Sequence, residues 1–184
     1  MNKSSKKFKL DTRTISLLGI MVALSTVLGM IVIYRLPQGG SVTLCSMVPI
    51  IFISMVFGVP YGMFAGFLVG LLNLILDPFI VHPIQVLLDY FLAFTLLGIG
   101  GIFKNNKILA ATISIFARFI CSVLSGVIFF SSYANGKNPI LYSIIYNGSY
   151  LGIELIITTV VLYLLPIERF KKIVFKNKTS EPKL

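Results

Sequence analysis

Tryptophan is absent from the 184-residue chain, histidine occurs once and acidic residues occur six times. Each shortage excludes something. One histidine and two cysteines, Cys45 and Cys121, without a CxxC pair, provide no ligand set for a metal, and no metal or cofactor is expected. Cys121 also falls well inside an apolar run, so no disulfide is expected. There is no GxxxxGK phosphate loop, so ATP hydrolysis is not expected of this chain. Nor is there an HExxH or GxSxG around which a hydrolase could be built. Charged residues make up only 12% of the chain against 57% hydrophobic, which does not suit a soluble domain.

What remains is a series of apolar runs, at roughly 14–33, 47–57, 60–76, 84–103, 108–131 and 140–165. Most approach the ~20 residues that cross a hydrocarbon core, and the second is short. The fold class expected is therefore an all-α integral membrane protein, a bundle of six transmembrane helices over residues 14–165. A basic tail, 1–13, precedes it and another, 166–184, follows. The first run follows a basic stretch as a signal peptide would, but no small-residue cleavage site follows, so it counts as a span.

The net charge of +10 would suit a nucleic-acid binder, but its placement suits a membrane better. Thirteen of the sixteen basic residues fall at Lys3, Lys6, Lys7, Lys9 and Arg13, at Lys104 and Lys107, and at Arg169, Lys171, Lys172, Lys176, Lys178 and Lys183. Alternating helices put all three groups on one side. The positive-inside rule makes that side the cytoplasm, with both termini in it and with Arg35 and Lys137 in the opposite loops. Nucleic acid is thus not expected as a partner, and a bacterial plasma membrane is the expected location.

The stretch HPIQVLLDYFLAF, residues 82–94, sets an aspartate among leucines. Polar groups inside spans are costly and normally face a cavity or one another. Gln85 and Asp89 are four apart, on one helical face. Ser114, Arg118, Ser122 and Ser125 form a second stripe, ending at Phe129 and Phe130, and Asn147, Tyr150 and Glu154 a third, below Tyr142 and Tyr146. The upper members lie under three outer connections rich in proline and glycine. One carboxylate, several hydrogen-bonding groups and many aromatics suit a small, flat, cationic or neutral polar ligand. Arg118 and Glu154 fall at one depth by the helical rise and are expected to pair as the floor of that pocket. Pro83 suits the first turn of its helix, with His82 as the cap.

Small residues recur at four-residue spacing in two helices, a pattern that lets backbones approach closely. Gly62, Gly66 and Gly70 are expected to pack within the bundle. For Gly19 and Ala23 a partner protein competes with internal packing.

LPQGGSVTL and MVPI (36–44 and 47–50), HPIQVLLDYFLAF (82–94), SGVIFFSSYA (125–134) and YSIIYNGSY (142–150) together resemble the thiamine-specific substrate-binding subunit, the ThiT-type S component, of energy-coupling factor transporters. The resemblance covers all six helices. It implies a vitamin bound near the outer face, capped by the loop between the first two helices, and transport only with a transmembrane coupling subunit and two ATPases. Carried over by motif, Asp89 stands where the family has an acidic residue facing thiamine, with Tyr90 beside it. Arg118 stands at a basic position, Ser122 at a site that can be histidine, and Phe130 where an aromatic stacks on the ligand. Tyr142 and Asn147 match the last motif, and Gln38 falls in the capping loop. The absence of tryptophan departs from members that stack thiamine on indoles.

The alternatives within transport are a thiamine precursor or another water-soluble vitamin in the same kind of pocket. An intramembrane enzyme could be argued only from Ser122, Ser125 and His82, residues that helix packing and capping already explain.

Overall fold

The structure is a computed structural model describing residues 11–134, 136 and 138–176. Lys3, Lys6, Lys7, Lys9, Lys137, Lys178 and Lys183 lie outside the described residues. Six apolar helices form the body: α1 (Thr12–Met30), α2 (Val48–Phe57), α3 (Val59–Leu76), α4 (Pro83–Phe103), α5 (Lys107–Phe129) and α6 (Pro139–Leu164). Five are long and apolar enough to cross a membrane, and α2 is shorter. A final helix, α7 (Ile167–Lys176), follows.

Helix starts obey local chemistry. α2, α3, α4 and α6 each carry proline in the first turn, where its missing N–H costs nothing. His82 Nδ1 accepts the Ile84 N–H at 3.1 Å, and Asn106 and Asn138 cap α5 and α6 with their side-chain oxygens. At the other end of α6, Lys107 Nζ donates to the carbonyls of Tyr163 and Leu165, a cation on the negative helix terminus.

α2 is buried from Val48 to Val56, with Ile51 and Ile53 fully enclosed. Ten residues span only ~15 Å, so this helix is wrapped by its neighbours. The connection from α1 makes up the remaining depth as an antiparallel hairpin, β1 (Val32–Arg35) and β2 (Ser41–Thr43). Its turn needs positive φ at Gln38 (66°) and Gly39 (88°).

α4 is not a regular α-helix. Over Leu87–Leu92 it widens into a π-helical turn, in which the Ala93 N–H reaches back five residues to the Leu88 carbonyl. Over Leu96–Phe103 it tightens to 3₁₀. It packs on α3 through the glycines read from spacing. A Cβ on Gly66 would lie 2.1 Å from the Phe94 carbonyl oxygen, one on Gly70 2.2 Å from that of Tyr90, and one on Gly62 2.9 Å from Gly98 Cα. The residues from 166 on, expected as a tail, include α7, which folds back on the bundle. Ile167 and Val174 are buried, and Phe170 packs edge-on against Phe52 at 5.1 Å.

Gly19 and Ala23 lie on the outward face of α1, and a Cβ on Gly19 would meet nothing within 4 Å. Internal packing therefore does not account for this pair. The surrounding face is apolar and exposed at Ile15, Ile20 and Val27.

Candidate functional site

Under the hairpin lies a cavity of about 160 Å³ bounded by α3, α4, α5 and α6. All eight side chains singled out by motif line it: Gln38, Asp89, Tyr90, Arg118, Ser122, Phe130, Tyr142 and Asn147. They come from the hairpin and three helices because each lies on the inward stripe of its own element.

Asp89 answers the question raised by its sequence. Its Oδ2 accepts two hydrogen bonds of 2.7 Å, from Gln85 Nε2 one turn above and from Ser125 Oγ on α5. Gln85, only 1% exposed, is held in turn by the Val81 N–H on its Oε1. No cation pairs with Asp89: among the described residues the ion pairs are Arg35–Asp77 and Lys171–Glu168. The carboxylate is oriented by neutral donors and leaves Oδ1 toward the cavity.

Two of the eight residues are occupied by structural bonds. The Tyr90 hydroxyl accepts the Phe79 N–H at 2.7 Å and donates to the Asp77 carbonyl at 3.1 Å, so it pins the α3–α4 loop. Asn147 donates to the carbonyls of Ser122 and Ser143 and accepts the Tyr150 hydroxyl at 2.9 Å. It joins α5 to α6 where Gly126 lets them approach.

The hairpin tip is fastened over the cavity by tyrosines. Tyr142 donates to Gln38 Oε1 at 3.0 Å, while the Tyr146 hydroxyl accepts the Gly40 N–H and donates to the Pro37 carbonyl. Opposite, Phe79 stacks on Phe130 at 5.9 Å and 19° between planes. Phe79 sits in an irregular loop, where no periodicity points to it.

The expected Arg118–Glu154 ion pair is not formed. The Arg118 guanidinium lies 4.2 Å above the Phe94 ring, a cation–π contact. Glu154 instead bonds Thr43 through Oε1, to its N–H at 2.5 Å and its hydroxyl at 2.6 Å. Equal depth sets both on the wall of one cavity, but each is taken by another partner there, Phe94 and Thr43. His82 stacks on Phe129 at 5.0 Å and caps α4, away from Ser122 and Ser125. No constellation for nucleophilic catalysis arises from them.

Comparison with known proteins bears on this arrangement. Residues 15–174 match the family described as thiamine transporter protein (Thia_YuaJ). The chain is 35% identical to the thiamine transporter ThiT of Bacillus subtilis, over 80% of this chain and 87% of that protein. It is 31% identical to the ThiT of Lacticaseibacillus paracasei, over 63% and 68% respectively. Among solved structures, ThiT from Listeria monocytogenes superposes with a TM-score of 0.70 at 26% identity, covering 84% of this chain and 95% of that one.

Proposed function

The chain belongs to the thiamine transporter protein family, and on that premise we propose that it is the thiamine-binding S component of an energy-coupling factor importer. It is a multi-pass cell-membrane protein and not an enzyme. The observation that carries the ligand assignment is Asp89, a carboxylate oriented by Gln85 and Ser125 and paired with no cation. Thiamine brings a positive charge on its thiazolium ring and hydrogen-bond donors on its aminopyrimidine. Phe130 and Phe79 offer flat faces to those rings where relatives with tryptophan offer indole. Arg118, which lines the pocket with its guanidinium on Phe94, is placed to donate to the hydroxyethyl oxygen. Tyr142 and Gln38 close the site from above.

The basic groups near both termini put those ends in the cytoplasm and the hairpin outside, so the pocket opens toward external vitamin. Titration of the purified protein with thiamine, its pyrimidine precursor and riboflavin tests the assignment. Saturable binding of thiamine in strong preference to the other two is the expected result. Preference for the precursor would move the function to the alternative vitamin reading.

Uptake requires a transmembrane coupling subunit and two ATPases, and the exposed small-residue face at Gly19 and Ala23 is the proposed docking surface. Gly19→Trp or Ala23→Trp is expected to abolish uptake in cells while thiamine binding by the isolated protein stays within about twofold, because the side chain holds the partner helix away. Uptake at the wild-type rate would remove this face from the interface.

A further inference from the structure

Glu154 does not line the vitamin pocket, yet it is a carboxylate 1% exposed in the middle of α6. Such a group is retained at a cost in a membrane helix and marks something it holds. What it holds is Thr43, the last residue of β2, whose N–H and hydroxyl both donate to Oε1. Thr43 Oγ1 is also bonded to Ser46 Oγ at 2.7 Å, and Ser25 of α1 donates to the Ser46 carbonyl. A polar chain thus runs from α6 to α1 beneath the hairpin.

The hairpin cannot hold its own position. Its strands have four and three residues, and an isolated two-stranded ribbon is marginal in water even when longer. Its tip supplies Gln38, Gly39, Gly40 and Ser41 to the pocket wall. Where the tip sits therefore depends on where Thr43 is clamped. The tyrosine bonds at the tip join neutral groups, whereas the bonds to a carboxylate at the base are of the stronger kind.

A second cavity of about 280 Å³ adjoins the vitamin pocket, sharing Asn73, Phe94 and Arg118 with it, and is lined also by Glu154, Thr43 and Ser46. Glu154 Oε2 and Arg118 Nε are both buried and have no hydrogen-bond partner. Arg118 lines both cavities. The clamp and the guanidinium beside the vitamin thus share one cavity wall.

Resting on the thiamine reading, we propose that Glu154 is a positioning residue for vitamin retention: it clamps the base of the hairpin so that the tip stays closed over the pocket, and it governs escape of ligand without touching it.

The test is the kinetics of thiamine binding and release by the purified protein in lipid nanodiscs. Glu154→Met is expected to raise koff about tenfold or more while kon changes less than about threefold, since a loosened cover affects release first. Glu154→Gln keeps an acceptor for Thr43 and is expected to restore most of the retention. Thr43→Val, which removes one of the two donors, is expected to raise koff about threefold and to add nothing in the Glu154→Met background. Unchanged koff in a Glu154→Met variant that melts like wild type would overturn the proposal, as would an equal fall in kon. Should that variant not fold, wild-type koff in Thr43→Val would overturn it equally. Failure of the wild-type protein to bind thiamine would strike the functional assignment instead, before any variant is made.

Discussion

Asp89→Asn is expected to weaken thiamine binding at least tenfold, about 1.4 kcal/mol or more, with the fold intact. The substitution keeps shape and volume, and an amide oxygen can still accept from Gln85 and Ser125, the two donors that orient Oδ2. That choice forces the amide nitrogen into the position of Oδ1, so a donor faces the cavity where an acceptor stood. The negative charge is lost as well, and a thiazolium would enter a site with no counter-ion. Isothermal titration on wild type and variant, with thermal melting as the control for folding, measures the difference. Equal affinity in a folded variant would remove Asp89 from the ligand site. The pyrimidine precursor lacks the cation, so its affinity is expected to fall by a smaller factor.

The second large effect is on the scaffold. Gly66→Ala is expected to destabilise the protein by about 1–3 kcal/mol, the usual range for overpacking, and to weaken binding with it. The added methyl would sit 2.1 Å from the Phe94 carbonyl oxygen. That contact is with backbone, which cannot rotate away as a side chain can, so α4 itself must move. Asp89 and Tyr90 ride on the same helix and move with it. Gly19→Ala is the matched control, because its methyl meets nothing within 4 Å and should leave melting unchanged. A Gly66→Ala variant melting like wild type would mean that the α3–α4 contact is looser than its geometry.

The pocket was legible in the sequence to the extent that its chemistry is local. Gln85 and Asp89, four residues apart, share a face in any helix, and they are hydrogen-bonded in the structure. The stripe from Ser114 to Ser125 likewise needs only the helical period. Three features escaped for different reasons. Phe79 lies in an irregular connection, where side-chain direction follows from tertiary contacts such as the Tyr90 bond to its N–H. The partners of Arg118 and Glu154 depend on which groups of other elements reach them, Phe94 of α4 and Thr43 of the hairpin, whereas rise along the chain gives height alone. Helix α7 did leave a signal in the tail, since Ile167, Phe170 and Val174 recur at helical spacing and all three turn toward the bundle. There the lysines and arginines interleaved with the apolar residues gave the segment the look of a charged tail.

The wide turn at Leu87–Leu92 has an evolutionary corollary. A five-residue hydrogen bond accommodates one more residue than a regular turn, so this part of α4 can lose a residue and close into ordinary α-helix with its bonds intact. Elsewhere in the same helix a deletion would rotate everything beyond it by about 100°, carrying Phe94 and Gly98 off the face that meets α3. An alignment gap in this helix is therefore best tolerated next to Asp89. Relatives that differ in length there can keep the same packing below the turn while presenting a different residue to the ligand above it, a route by which ligand preference could diverge without redesign of the bundle.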